Sequence, residues 1–186
     1  MSKKKKLKKV PKPKQLEIKS TGLIPSQGEK LMIVEEKKMI FQFEYPQWLK
    51  SFQYKDFTTF LKDENMYSSS ITYLFSDLIP KITYEWQVNK SLREWQHFHK
   101  ISEGEALGRY NRAIRNLHPK ISIDSLELWQ FGMTYNPLRL ICHKQPNTNI
   151  LFPLLIDYHH LGYVDKNYNQ TDYSTYKYCP LTSYKK

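Results

Sequence analysis

Two rhythms of apolar residues divide the chain. Leu31-Met32-Ile33-Val34 and the alternating run Met39 to Tyr45 flank the charged segment Glu35 to Lys38, which predicts a β-hairpin. Trp48, Leu49, Phe52, Phe57, Phe60 and Leu61 then recur at spacings of one to five behind Pro46, which predicts an amphipathic helix over residues 47 to 62. A second helix is expected from a cap at Ser68 to Ser70, burying Ile71, Leu74, Phe75, Leu78 and Ile79 and stopped by Pro80. An extended lead-in from Ile82 and a helix through Ser91 to Lys100 suit Trp86, Val88, Leu92, Trp95, Phe98 and Ile101. Ser102-Glu103-Gly104-Glu105 has the form of a capping box, opening a helix that ends at His118-Pro119.

Beyond Pro119 the period shifts to that of strands. Leu126 to Met133, Leu138 to Lys144 and Asn149 to Asp157 are separated by turns at Asn136-Pro137 and Pro146-Asn147, the pattern of an antiparallel meander. The expected fold class is α+β: an N-terminal hairpin, then three to four helices packed on one face of a C-terminal antiparallel meander sheet. The expected division is a lysine-rich arm at 1–28, one domain at 29–165, and a tyrosine-rich surface tail at 166–186.

Charge changes this picture at one end only. Nine lysines and one glutamate occupy the first 19 residues, so eight of the net +11 charges of the 186-residue chain sit there. With Pro11 and Pro13 interrupting it, such a run buries too little to order itself. Lys3, Lys4, Lys5 and Lys6 lead this arm, which suits nonspecific contact with nucleic-acid phosphates or simple solubilisation. No apolar run reaches the 18 or so residues of a membrane span, and two cysteines, Cys142 and Cys179, supply no disulfide framework. The expectation is a soluble cytoplasmic chain that does not act at a membrane.

Candidate chemistry concentrates near the strand ends. The nucleotide-binding and hydrolase signatures G-x-x-x-x-G-K-[ST], G-x-G-x-x-G, G-x-S-x-G and H-E-x-x-H are absent, and no cofactor is expected. Arg139, His143, Lys144, Asp157, Tyr158, His159, His160 and Tyr163 form the densest polar group. Arg supplies a phosphate fork, His a group that titrates near neutrality and Tyr a hydroxyl. Together these suffice to cleave RNA without a metal, because the 2′-hydroxyl is itself the nucleophile. The alternative is that Tyr158, His159 and His160 only close a strand. Arg93, His97 and His99 beside Trp95 make a second cluster, but His97 and His99 share a face only on a non-helical backbone. Cys142 or His143 with Asp157, His159 and His160 lacks the spacing of a known ligand set, so no metal is expected. Arg109, Arg112 and Arg115, at spacing three on one helix, offer a phosphate-tracking face, with Lys144 as a further contact.

The string LELWQFGMTYNPLRLICHKQPNTNILFPLLIDYHHLGY at Leu126 to Tyr163 resembles the RelE-type toxins of bacterial toxin-antitoxin modules. The resemblance implies a metal-independent endoribonuclease acting on messenger RNA in the ribosome, with an antitoxin protein as partner. It implies Arg139 as the residue that stabilises the phosphorane, His160 or His143 as the proton carrier, and Tyr163 as a positioning or stacking group. His143 and Lys144 stand where that pattern has a small residue, and Pro153 interrupts the third strand, which points to an edge or a bulge there. Two readings compete with a nuclease: a noncatalytic nucleic-acid- or ribosome-associated binding protein, and a structural subunit of a larger complex that uses its tyrosine-rich tail.

Overall fold

A computed structural model describes residues 38–86, 95–163 and 171–184. The lysine arm, the first arm of the expected hairpin at Leu31 to Val34, and Arg93 lie outside the described residues. The protein is α+β, built on a five-stranded sheet of order β1-β7-β6-β5-β4. Its strands are β1 (Ile40–Phe41), β4 (His99–Lys100), β5 (Leu128–Phe131), β6 (Arg139–Lys144) and β7 (Ile150–Asp157).

The meander β5-β6-β7 forms antiparallel as the alternation predicts. Two short strands extend it. β1 joins β7 in parallel, pairing Ile40 with Ile150, and β4 joins β5 antiparallel, pairing His99 with Gln130. The sheet is therefore mixed. The register of β6 against β7 shifts at Ile141/Cys142, where Cys142 faces Pro153; Pro153 has no N–H for the ladder, and a bulge is where a sheet tolerates that loss.

The stretch 47–62 is not the expected helix. A 3₁₀ turn at Pro46–Leu49 is followed by a hairpin of β2 (Gln53–Tyr54) and β3 (Phe57–Thr58). Lys55 takes the left-handed backbone (φ 53°) that a tight hairpin turn needs. The aromatic spacing that mimics a helical stripe in fact serves two cores, since Trp48 and Leu61 enter one and Phe52 and Phe57 the other.

Helix α1 (Glu64–Tyr73) begins earlier than expected, because Asp63 caps it by accepting from the Met66 N–H at 2.9 Å. Pro80 does not end the helical run. A π-helical turn at Leu74–Leu78 leads into α2 (Ile79–Tyr84), and the wide turn accommodates Pro80, which has no N–H to continue the ladder. Residues 95–100 also depart from the expected helix: Trp95 and Phe98 are buried, and the chain extends into β4 at the sheet edge.

Helix α3 (Gly104–Leu117) forms as its period predicts, with Ala106, Tyr110, Ala113, Ile114 and Leu117 buried. The capping box does not close. Glu103 occupies the cap without a side-chain bond, and the Glu105 carboxylate is taken by Arg109 one turn on, at 2.6 Å.

Helices cover both sides of the sheet, not one. Ile141, Leu128 and Leu155 pack with Tyr110 and Ile114 of α3. Leu140, Cys142, Trp129 and Phe131 pack with Leu74, Leu78 and Ile82 of the bent α1–α2 run. Strand alternation assigns these two sets to opposite faces. The C-terminal residues 171–184 dock on this body: Tyr178 pairs with Leu61 in a β-bridge, and Ser51 donates its N–H to Cys179 Sγ at 3.3 Å. The short helix α4 (Pro180–Tyr184) follows. No helix among the described residues is long and apolar enough to cross a membrane.

Candidate active site

The two histidine clusters of the sequence meet at one end of the sheet. Pairing of β4 with β5 carries His97 and His99 to the carboxyl end of β7, where the chain turns through Tyr158 to Tyr163. The His97 and His160 rings lie 6.0 Å apart, His99 and Tyr163 5.7 Å, and His160 and Tyr163 6.1 Å. All four side chains are partly exposed. A turn through Gln96 and His97 that leads into β4, in place of a continuing helix, makes this convergence available.

A buried polar chain holds the group from below. Asp157, fully buried, accepts the N–H groups of His159 (3.2 Å), Leu161 (3.1 Å) and Gly162 (2.7 Å). The Tyr110 hydroxyl sits 3.1 Å from Asp157 Oδ2 and 3.3 Å from Gln130 Oε1. Gln130 Nε2 in turn lies 3.4 Å from His99 Nε2, and His99 Nδ1 is 3.1 Å from the Lys100 carbonyl. The tautomer that satisfies both contacts donates from Nδ1 and accepts at Nε2. Asp157 therefore wraps the 158–162 turn around itself, and the turn aims His160. His160 is held with φ at 58°, a left-handed conformation that non-glycine residues adopt at a cost of about 1 kcal/mol or more and that clusters at functional sites.

Gly162 makes this closure sterically feasible. A Cβ there would stand 1.9 Å from the Tyr110 hydroxyl oxygen and 2.1 Å from Cζ of the same buried ring. We expect Gly162→Ala to displace either the turn or Tyr110 and to destabilise the fold by about 2–4 kcal/mol, in the range of overpacking combined with a broken buried hydrogen bond. Chemical denaturation checks this; a variant as stable as the parent contradicts the packing described.

Arg139 is placed differently from its expected role. It is only 3% exposed, and its Nη1 donates to the carbonyls of Asn136 (2.5 Å), Leu138 (2.9 Å) and Met133 (3.4 Å). It ties down the β5–β6 loop, and its side chain runs against Gly132, where a Cβ would lie 2.5 Å from Arg139 Cδ. A guanidinium so enclosed does not fork a phosphate. Its charge still reaches the site: burial first, then the positive charge of Arg139 and of neighbouring histidines, pushes the His97 pKa down to about 4. His97 is thus a neutral imidazole at pH 7. Burial raises the Tyr163 pKa, so its hydroxyl keeps its proton there.

His143 is absent from the group. It sits four residues along β6 from Arg139, on the same face but about 13 Å away by strand rise, where its Nδ1 lies 3.1 Å from the Glu127 N and 3.3 Å from the Glu127 carbonyl oxygen. Lys144 is buried and donates to the Thr148 carbonyl at 3.0 Å, which withdraws it from ligand contact.

The arginine face of α3 is likewise divided. Arg109 is held by Asp56 (2.8 Å), Glu105 (2.6 Å) and the Leu161 carbonyl (3.2 Å). Arg112 lies over the Tyr54 ring at 4.0 Å, and Arg115 is exposed. Lys3 to Lys6 lie outside the described residues. What sequence reasoning missed was Gln130 and Tyr110, whose polar atoms in apolar runs are the signal of a buried network.

His97, His118, His143 and His159 all have pKa values lowered chiefly by burial. The unfolded chain takes up protons at about pH 6.5 that the folded chain refuses, for His97 down to about pH 4. Stability is therefore expected to fall steadily as pH drops from 6.5 towards 4. Melting temperatures across that window test this, and a flat profile contradicts it.

A family model described as "Uncharacterised protein UU032" matches residues 44–186. The chain is similar to the uncharacterised protein UU032 of Ureaplasma parvum serovar 3 (strain ATCC 700970), 38% identical over 151 residues that cover 80% of this chain and 83% of that protein. No solved structure is significantly similar. The matched region takes in every strand from β2 onward and the whole histidine–tyrosine group, and on both measures the chain belongs to the UU032 family.

Proposed function

We propose that this protein binds RNA and cuts it by metal-independent transesterification at the His97–His160–Tyr163 group. The observation that supports this is the pairing of two partly exposed imidazoles at 6.0 Å beside the Tyr163 ring, over a buried arginine. An RNA strand brings its own nucleophile. His97, neutral at pH 7, takes the proton of the 2′-hydroxyl as its oxygen bonds to the adjacent phosphorus. The bond from phosphorus to the 5′-oxygen breaks, and His160 delivers a proton to that oxygen. The products are a 2′,3′-cyclic phosphate and a 5′-hydroxyl. Tyr163, holding its proton, donates to a nonbridging phosphate oxygen.

The Gln96 amide now donates to His97 Nε2 at 3.2 Å. It is an exposed side chain, so substrate displaces it readily and receives the lone pair it occupies. The resemblance of Leu126 to Tyr163 to RelE-type toxins supports the same chemistry, with Arg139 reassigned from phosphate contact to positioning. In this reading the substrate is RNA, free or on the ribosome, and an antitoxin protein would cover the site.

A noncatalytic RNA-binding protein is the second reading, favoured by Arg112 stacked on the exposed Tyr54 and by the exposed Arg115. Incubation of the full chain with total RNA in EDTA, with and without ribosomes, separates the two. Cleavage is expected; salt-sensitive retention of intact RNA would establish the second reading instead.

A further inference from the structure

A groove lies away from the histidine–tyrosine group, at the end of the sheet that carries His143. About 790 Å³ in volume, it runs between the end of α3, the 3₁₀ turn Ile123–Ser125 and the Tyr45–Pro46 turn. One wall is aromatic. His118 and Tyr45 rings are 5.6 Å apart, Tyr45 and Phe152 5.9 Å, and Phe152 and His143 5.8 Å, and all but Phe152 line the groove. Leu117, Ile121 and Leu126 complete its apolar surface.

Its polar lining includes two imidazoles beside Gln47, Ser122 and Ser125. His118 donates from Nε2 to the Leu154 carbonyl at 2.7 Å, so its Nδ1 is an acceptor. His143 Nδ1 lies 3.1 Å from the Glu127 N and 3.3 Å from the Glu127 carbonyl oxygen, so its Nε2 donates when Nδ1 accepts and accepts when Nδ1 donates. Neither of these second nitrogens has a partner among the described residues. Lys120, exposed at one end, has no ion-pair or hydrogen-bond partner among them either. Glu44, also exposed along the groove, repels an anion and leaves the Lys120 end for one.

We propose that this groove binds a ribonucleotide, its base on the Tyr45 ring with the edges of His118 and His143 beside it, and its phosphate on Lys120. The partly exposed Tyr45 ring receives a base face of any identity, with the His118 ring turned 60° from it, and the second nitrogens of the two imidazoles read its edge. The volume suits one such ligand. The proposal deepens the RNA reading and rests on it for the source of the nucleotide, an unpaired residue of the strand that the distant histidines cut.

Titration of the full chain with adenosine and uridine 5′-monophosphates, inorganic phosphate and a short single-stranded RNA, followed by imidazole NMR signals, tests it. At least one mononucleotide is expected to shift the His118 and His143 signals, phosphate alone not. Lys120→Glu should weaken that binding at least tenfold, and Lys120→Arg should restore it. RNA binding tenfold tighter than the mononucleotide supports a strand as the source, and equal affinity overturns that source in favour of a free nucleotide. No nucleotide-induced shift, or binding indifferent to Lys120→Glu, overturns the site. His97→Ala leaves the groove intact, so loss of cleavage with retained nucleotide binding separates the failure of one reading from the failure of the other.

Discussion

Asp157→Asn is expected to be the most destabilising single-atom change in the protein, by about 3 kcal/mol or more. The carboxylate is fully buried and gathers three backbone N–H groups and the Tyr110 hydroxyl. An amide offers one acceptor oxygen in place of two and points a donor at N–H groups that are themselves donors. Hydrogen bonds to a charged group contribute about 1.5–3 kcal/mol each, and an orphaned buried donor adds its own desolvation cost. Because the same oxygens shape the 158–162 turn, the substitution should also release His160 from its left-handed backbone. Denaturant unfolding measures the first effect and loss of the His160–Tyr163 contact by NMR the second. A variant within 1 kcal/mol of the parent would mean that the turn is held by something else.

His97→Ala and His160→Ala should each lower RNA cleavage in EDTA by about 10²–10⁴-fold, the range for removal of a positioned acid or base. Both side chains are partly exposed, so the fold should survive. The double variant should lose little more than either single one, since acid and base act in one step. The pH profile carries a sharper signature. His97 acts as base only when unprotonated, and its pKa lies near 4, so the rate should fall on the acid side as pH drops through about 4, well below the usual histidine limb near 6.5. His97→Ala should erase that limb. A fall centred near 6.5 would assign the base to another group.

Much of this architecture was legible in the chain, and the failures are instructive. The strands Leu128–Phe131, Arg139–Lys144 and Ile150–Asp157 announce themselves as apolar runs bounded by turn residues. Helix α3 does so by its period and by His118-Pro119 behind it. Residues 47–62 misled because aromatic residues three to five apart fit a helical stripe and a turn-hairpin pair equally well, and burial in two separate cores is a tertiary fact. Pro80 misled because a π-turn absorbs a proline that would break an ordinary helix.

The site was legible in halves. His160 and Tyr163 stood out as strand-end residues, and His97 and His99 as a separate pair, but their union depends on the edge pairing of His99 with Gln130, which no local pattern encodes. Arg139 and His143, four apart on a strand, share a face, but the same rise sets them at opposite ends of it.

End-group analysis of the RNA product distinguishes transesterification from hydrolysis. Purified protein is incubated with a defined RNA in EDTA, and the new 3′ ends are examined. Transesterification at His97 and His160 leaves 2′,3′-cyclic phosphates paired with 5′-hydroxyls, formed by the parent and not by His97→Ala. Products bearing 3′-hydroxyl and 5′-phosphate ends, or intact RNA throughout, would contradict it.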